Sequence, residues 1–230
     1  MNKKTKLVSA LIVSVICAPI HATNKNPATV DYVQSLIAAI PIVPTYTVGQ
    51  HAMGGIVFYV DATGTHGLVA ANNQYTTGQT WDGGLNGSAY GDVQTNATAS
   101  GVGAGFMNTS LSVSIQSAVA AISSLALQSM AAQYCVNFSV KEDGITACDD
   151  PGASGESCYA NWYLPSLYEL NQMYLQNSIL NIYPNVADNA FFWSSTEADR
   201  NNAWRINFSD GTAGPVEKID QSGAWCIHSF

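Results

Sequence analysis

Charged residues are scarce in this sequence, and basic residues are the scarcest. Only 10% of its 230 residues are charged, and 8 Lys and Arg stand against 16 Asp and Glu, which gives a net charge of −8 at pH 7. Binding to nucleic acid or to an anionic membrane depends on Lys and Arg that neutralise phosphates. We therefore expect no nucleic acid and no membrane surface as partners, and the same deficit counts against sulfated polymers.

The sequence also lacks the patterns of common catalytic and metal sites. Its 4 histidines are scattered, no two cysteines have the spacing of a zinc site, and no Gly-rich phosphate loop follows a strand. We therefore predict no enzymatic activity and no cofactor. Calcium stays open because it binds oxygen clusters, although a solvated acidic surface explains the same residues. The loop acids concerned are Asp82, Asp92, Asp149, Asp150, Asp199 and Asp210.

No apolar run at the N-terminus is long enough to cross a bilayer, which takes about 20 residues. The run from Leu7 to Ile20 follows a basic segment, Lys3 to Lys6, and precedes the small residue Ala22. This order is typical of a secretory signal peptide, so we predict that residues 1–22 are removed and that the protein is secreted or displayed at the cell surface. An uncleaved anchor is the alternative. Cleavage would change the net charge from −8 to −11, because the segment holds three lysines and no acid.

Residues 23–47 form a second segment with a short apolar stripe. Val30, Val33, Ile37 and Ile40 recur at spacings of three and four, and prolines follow the stripe. The pattern predicts a short helix and a proline linker. Because so short a helix is marginal alone in water, we expect it to pack on sister chains or on its own domain.

Residues 48–230 are predicted to form one α+β domain with two helices and short antiparallel strands. The β-branched run Ile56 to Val60 and the run Leu68 to Ala71 predict a hairpin, and residues 72–107 read as a long loop. A helix is expected over residues 111–134, followed by an inserted surface loop over 136–160.

The C-terminal third carries a helix start and a set of strands. Ser166 with Glu169 three residues later is a capping box. Three tail strands are expected as an antiparallel meander, over residues 191–195, 203–208 and 223–227.

Seven sequence motifs occur together in a fixed order. They are GGIVFYVD, HGLVAA, GVGAGFMNT, WYLPSLYEL, FFWSSTEA, AWRINFSDG and WCIHSF, from about Gly54 to Phe230. In this order they resemble the bacterial DUF1566 family, typified by the C-terminal domain of the Legionella collagen-like adhesin. The resemblance implies a C-type-lectin-like fold, distantly similar to the formylglycine-generating sulfatase-modifying enzymes, and a homotrimer that binds glycans. No Gly-X-Y run precedes the domain here, so only the stripe at residues 30–40 is left to trimerise it.

Four cysteines remain after signal removal, and their number alone allows three disulfide pairings. The resemblance implies that Cys135, before the WYLPS motif, pairs with Cys226 near the C-terminus. Cys148 and Cys158 would then staple the insertion.

The resemblance leads to a non-enzymatic module that recognises carbohydrate in adhesion. Sugars stack on aromatic rings and form hydrogen bonds with carboxylates, hydroxyls and cationic side chains. Residues of these types occur close together in the sequence at the end of the FFWSSTEA strand and just after it. The predicted ligand-binding residues are Trp193, Ser194, Ser195, Glu197, Arg200 and Arg205. The motif tryptophans Trp162, Trp193 and Trp204 are also expected in the core. The alternative functions are an assembly domain that contacts only protein and, more distantly, an enzyme related to the sulfatase modifiers.

Overall fold

The structure is a computed structural model that describes residues 30–39, 43–83, 93–123, 129–148, 155, 157–180 and 190–230. The chain divides into two compact units, Met1–Val43 and Pro44–Phe230. The predicted signal peptide lies outside the described residues. Within them, no helix has both the length and the apolar character needed to cross a bilayer.

The first unit contains one described helix, α1 (Val30–Ala38). Its formation agrees with the helix predicted from the apolar stripe. Tyr32, Leu36 and Ile37 are exposed on it. Ile40, the last residue of the stripe, lies outside the described residues.

The second unit is a mixed α+β domain built on a seven-stranded sheet. Its strands are β1 (His51–Ala52), β2 (Gly55–Val60), β3 (Gly67–Gln79), β6 (Phe191–Glu197), β7 (Asn202–Asn207), β8 (Ala213–Glu217) and β9 (Ser222–Ser229), and β4 (Val140–Lys141) pairs with β5 (Cys158–Tyr159) in a separate hairpin. The order in the large sheet is β1-β2-β3-β9-β6-β7-β8.

The N-terminal hairpin is confirmed, whereas the loop predicted after it is wrong at both ends. β2 and β3 pair antiparallel, but β3 continues to Gln79 and a helix begins at Ala104. Ser222 to Ala224 of β9 pair with the second half of β3, so the strand is completed by a partner from the far end of the chain.

The tail is also not a simple meander. β6, β7 and β8 follow one another antiparallel, but β9 returns between β3 and β6 and pairs with β6 in parallel. The last strand therefore joins the N-terminal and C-terminal parts of the sheet, and its side chains from Ser222 to His228 are buried.

Three helices pack in this unit: α2 (Ala104–Ser123), α3 (Ala131–Asn137) and α4 (Leu167–Leu175). The single helix predicted over residues 111–134 is thus corrected to two described helices with different bounds. α2 packs against α3 and β6, α3 packs against β9, and α4 packs against β2, β6 and β7.

The start of α4 confirms the predicted capping box. The Ser166 hydroxyl accepts from the Glu169 backbone N–H, and the Glu169 carboxylate accepts from the Ser166 N–H at 2.8 Å. The same carboxylate accepts from the N–H groups of Gly103 and Gly105, so it also fixes the start of α2. Burial raises the pKa of Glu169, and these backbone donors oppose the shift. A side chain on Gly105 would collide with Glu169, which explains the glycine.

Both disulfides implied by the resemblance are present. Cys135 on α3 is bonded to Cys226 on β9, and Cys148 is bonded to Cys158 at the base of the β4–β5 hairpin. The first links a helix to the central strand, where both cysteines are fully buried. The second closes a loop of 10 residues at the surface.

Candidate functional site

Most of the predicted ligand-binding residues lie inside the domain. Trp193, Ser194, Ser195 and Glu197 belong to β6 and are at most 2% exposed. The indole N–H of Trp193 donates to the Gln79 carbonyl, and the Ser194 hydroxyl donates to the Trp204 carbonyl. Their placement therefore gives them a structural role, and the expectation of a core position for Trp193 is confirmed, as it is for Trp162.

Glu197 takes part in a buried ion pair with Lys218. Its Oε1 lies 2.6 Å from Lys218 Nζ, and both side chains are completely buried. The ammonium also donates to the carbonyls of Val93 and Arg200, so each of its three N–H groups has an acceptor. The carboxylate accepts in addition from the backbone N–H groups of Thr95 and Asn96. This pair holds the segment at 93–96 onto the end of β6.

The other two predicted residues, Arg200 and Arg205, lie nearer the surface. Arg200 is exposed, and Arg205 is half-buried with its guanidinium 4.0 Å from the centre of the Phe191 ring. Arg205 also donates to the Ser222 hydroxyl at 3.0 Å. Trp204, expected in the core, is only half-buried, because it lies on β7 opposite Pro215 of the edge strand β8.

An open cleft lies elsewhere, on the disulfide-bonded β4–β5 hairpin. We call it the hairpin cleft; it has a volume of about 650 Å³ and is lined by Lys141, Glu142, Asp143, Thr146 and Ser157. It contains both charge signs and two hydroxyls. None of the predicted ligand-binding residues lines it.

The turn of the hairpin is ordered by its own polar groups. The Asp143 carboxylate accepts from the N–H groups of Ile145 and Thr146. The Thr146 hydroxyl also donates to it, and these bonds, the hydroxyl's first, lower the pKa of Asp143. The carboxylate is thus ionised and fixed at the edge of the cleft.

Contacts with the large sheet fix the hairpin from below. The N–H of Met53 donates to Glu142 Oε1 at 3.0 Å. Gly54 has φ +77°, and a Cβ at this position would lie 2.9 Å from the Val140 side chain. A side chain there would therefore lift the hairpin from the β1–β2 turn, which explains the glycine immediately before β2.

Tyr159 stands beside the cleft and joins it to the core. Its hydroxyl donates to Glu142 Oε2, and this bond, together with burial, raises the pKa of Tyr159 to about 12. Its ring stacks on His228 with ring centres 6.0 Å apart. The phenol therefore stays neutral at physiological pH and keeps its ring in place.

His228 lies beneath Tyr159 and is almost completely buried. Its Nε2 is 3.0 Å from the Met53 carbonyl oxygen. Its ring packs nearly perpendicular to that of Trp162, with the ring centres 4.5 Å apart. Burial lowers the pKa of His228, while the carbonyls of Met53 and Ser229 oppose part of the shift. A neutral imidazole thus supports the ring next to the cleft.

The chemistry of the hairpin cleft suits hydrogen bonding to a polar ligand. Carboxylates and hydroxyl oxygens can accept hydrogen bonds, and an ammonium can donate to oxygen atoms. Among the described residues that line it there is no histidine or cysteine to act as a nucleophile or base pair.

The described loop acids that were considered as calcium ligands do not form a cluster. Asp199 and Asp210 bond to their own turns, and Asp82 is fully buried, which corrects its expected surface position. Asp92, Asp149 and Asp150 lie outside the described residues. No group of three or more metal-ligating side chains occurs in the described ranges.

A signal for the hairpin cleft exists in the sequence, but it is weak. No charged residue occurs from Val93 to Val140, and Lys141, Glu142 and Asp143 then follow in succession. The cluster lies inside the segment predicted as an inserted loop. It precedes the Cys148–Cys158 staple by a few residues, which indicates a surface feature near a disulfide but does not identify a ligand.

Comparisons with known proteins give little information about this chain. No protein-family model matches it, and no match was found among curated proteins. Among solved structures, a fimbrial protein from Bacteroides ovatus is similar over 75% of this chain and 43% of its own length, with 18% identity and a TM-score of 0.41. The chain thus spans less than half of that protein, and a similarity at this level carries no argument about function. The resemblance to the DUF1566 family stays a prediction from its motifs.

Proposed function

We propose that this protein is an exported, non-enzymatic binding module that recognises carbohydrate through the hairpin cleft. The observation that carries the proposal is the cleft itself, an open site with polar and charged side chains that is held by a disulfide, by the Asp143 turn and by the Glu142 contacts. Such a fixed set of donors and acceptors loses little conformational freedom when it binds a polyhydroxylated ligand.

The electrostatics of the protein narrow the class of carbohydrate. Two of the five cleft residues are acidic and the chain has a net charge of −8. Sulfated and other polyanionic glycans would be repelled, so neutral or amino sugars fit best. The family motifs support the proposal through the lectin-like fold and the glycan binding that they imply, and the same family has trimeric members. Calcium is included as an additive in the test because the loop acids named in the sequence analysis leave it open.

A glycan array tests the proposal directly. The protein of residues 23–230 is applied with and without calcium, beside a Glu142→Gln variant and a Glu217→Gln control on β8 at the opposite edge of the sheet. We expect retention of a neutral or amino sugar that Glu142→Gln reduces at least tenfold and that Glu217→Gln leaves unchanged. No sugar retained above background would reject carbohydrate recognition.

The second candidate is an assembly domain that contacts protein, and one observation favours it. Helix α2 exposes large apolar side chains, with Phe106, Met107 and Ile122 each more than half exposed. Exposed apolar groups of this size on one element are typical of protein contacts. Replacing Phe106 and Met107 by Ser would then abolish binding of a protein partner without affecting glycan retention, which separates the two functions.

A further inference from the structure

Helix α2 has a row of polar side chains on its buried face, and two large apolar side chains near its start are exposed. Asn108, Ser112 and Gln116 are at most 1% exposed, whereas Phe106 and Met107 are more than half exposed. Residues four apart lie on the same side of a helix, so these three form a row about 12 Å long. A polar row on the buried face is unusual for an amphipathic helix, whose buried face is ordinarily apolar.

The row contains hydrogen-bonding atoms without protein partners. Among the residues that the structure describes, no partner lies within hydrogen-bond distance of Asn108 Oδ1, Ser112 Oγ or either amide atom of Gln116. Ser195 Oγ is in the same situation, and it belongs to β6, against which α2 packs. Buried polar groups are nearly always bonded, because an unpaired amide or hydroxyl in an apolar environment is strongly destabilising. Five such atoms on two elements that pack against each other require an occupant.

The chemistry of the row identifies the class of occupant. The groups are neutral amides and hydroxyls that both donate and accept, and none carries a charge that would hold an ion. Water satisfies such groups in protein interiors, where one molecule commonly makes about three hydrogen bonds. At an oxygen spacing of about 2.8 Å, a row of water of this length would contain about four molecules.

We propose that a row of ordered water molecules lies between α2 and β6 and is bound by Asn108, Ser112, Gln116 and Ser195. Asn108 marks one end, since its Nδ2 donates to the Ala99 carbonyl at 2.7 Å. The helix is thus attached to the sheet through water along the middle of its length. This proposal is independent of carbohydrate binding, which takes place on the β4–β5 hairpin.

Thermal unfolding of near-isosteric variants tests whether the polar atoms of the row raise or lower the stability of the protein. Gln116→Met and Ser112→Ala remove the polar atoms, and Ser114→Ala on the exposed side of α2 is the control for helix propensity. If water is bound, Gln116→Met lowers Tm by about 3 °C or more relative to the wild-type protein. Ser112→Ala then lowers Tm relative to the Ser114→Ala control. If the layer is dry, removal of an unpaired amide raises Tm, and an unchanged or raised Tm overturns the proposal.

A measurement on the unaltered protein keeps the proposal testable should a variant fail to fold. In buffer without glycerol or other polyols, NMR cross-relaxation should connect the Gln116 side-chain amide protons directly with long-lived water. Absence of this signal overturns the proposal, and a signal that appears only after a polyol is added would assign the layer to that molecule instead.

Discussion

At the scale of single residues, the buried ions Lys218 and Glu197 connect three separate parts of the chain. Lys218 follows β8, Glu197 ends β6, and the backbone that both of them bind belongs to the segment at 93–96. Lys218 Nζ also lies 4.9 Å from the centre of the Trp81 ring. Every N–H of the ammonium has an acceptor, so the pair meets the condition under which buried charges are tolerated.

We predict that Lys218→Met destabilises the domain by about 3–5 kcal/mol, because it leaves the Glu197 carboxylate buried without its counter-charge. Urea unfolding followed by tryptophan fluorescence measures the change. The double variant Lys218→Met/Glu197→Gln should recover part of the loss, since no charge then stays unpaired. The exposed change Glu217→Gln serves as the control, and a loss below about 1 kcal/mol for Lys218→Met would contradict a structural ion pair.

His228 gives a prediction about pH. Because burial lowers its pKa in the folded state, the unfolded chain binds a proton first as the pH falls through the ordinary value of about 6.5. The contribution of His228 to stability is therefore complete above pH 6.5 and is lost as the pH falls toward the lowered value. Urea unfolding at pH 7.5, 6.5 and 5.5 should show a steeper fall for the wild-type protein than for His228→Gln, which keeps a donor for the Met53 carbonyl. Parallel pH profiles would disprove the buried neutral histidine.

At the scale of elements, the two disulfides close loops of very different length. Cys135 and Cys226 are 91 residues apart, whereas Cys148 and Cys158 are 10 apart. Restricting the unfolded chain is worth about 4–5 kcal/mol for the longer loop and about 3 kcal/mol for the shorter one in the chain-entropy account. The long bridge also lies in the core, so its removal leaves a buried cavity.

We therefore predict that the paired change Cys135→Ala/Cys226→Ala lowers the free energy of unfolding more than Cys148→Ala/Cys158→Ala does. Chemical unfolding of the two variants compares them directly. We also expect the second variant alone to lose binding at the hairpin cleft, because that bridge closes its base. Equal destabilisation by the two variants, or unchanged binding in the second, would contradict these assignments.

Local interactions in this fold could be predicted from the sequence, and distant ones could not. The capping box at Ser166 and the β2–β3 hairpin each depend on residues close together in the chain, and both are confirmed. The extension of β3 to Gln79 and the insertion of β9 between β3 and β6 depend on partners about 150 residues away. The NNQYTTGQ segment has little strand propensity of its own, so only this pairing makes it a strand.

The site was harder to predict than the fold for a related reason. The sequence predicts the polar run Ser194 to Glu197 as a strand end facing a ligand, but it packs against α2 and α4. Its polar side chains bond internally, except for Ser195 Oγ. A strand covered on both faces has no alternation of buried and exposed positions, so its side chains carry no sequence signal for exposure. The hairpin cleft, in contrast, depends on a disulfide and on Met53, which is 89 residues from Glu142.

At the scale of the whole molecule, the distribution of charge determines through which surfaces two copies of the protein can contact each other. The protein is acidic, with only 8 basic residues, yet the 48 residues from Val93 to Val140 contain no charge at all. Like-charged copies repel over most of an acidic surface, so contacts between copies favour uncharged or apolar elements. Two elements offer such surfaces: the outer side of α2 and the apolar stripe of α1.

We predict that α1 joins three copies of the chain through its stripe, which would present three weak sugar sites together and raise the overall affinity. Light scattering of residues 23–230 should give the mass of a trimer. Deletion of residues 23–43, which leaves the second compact unit intact, should give a monomer.

A pair of point variants separates the stripe from the mere presence of the segment. Val33→Asp/Ile37→Asp places charges on the stripe, whereas Gln34→Asp/Ser35→Asp adds the same charge to neighbouring exposed positions of α1. Only the first pair should break the trimer, because charges in an apolar helix contact cannot keep their hydration. A monomer for the unaltered protein, or equal dissociation by both pairs, would reject association through α1 and leave the uncharged surface of α2 as the place where copies or partners meet.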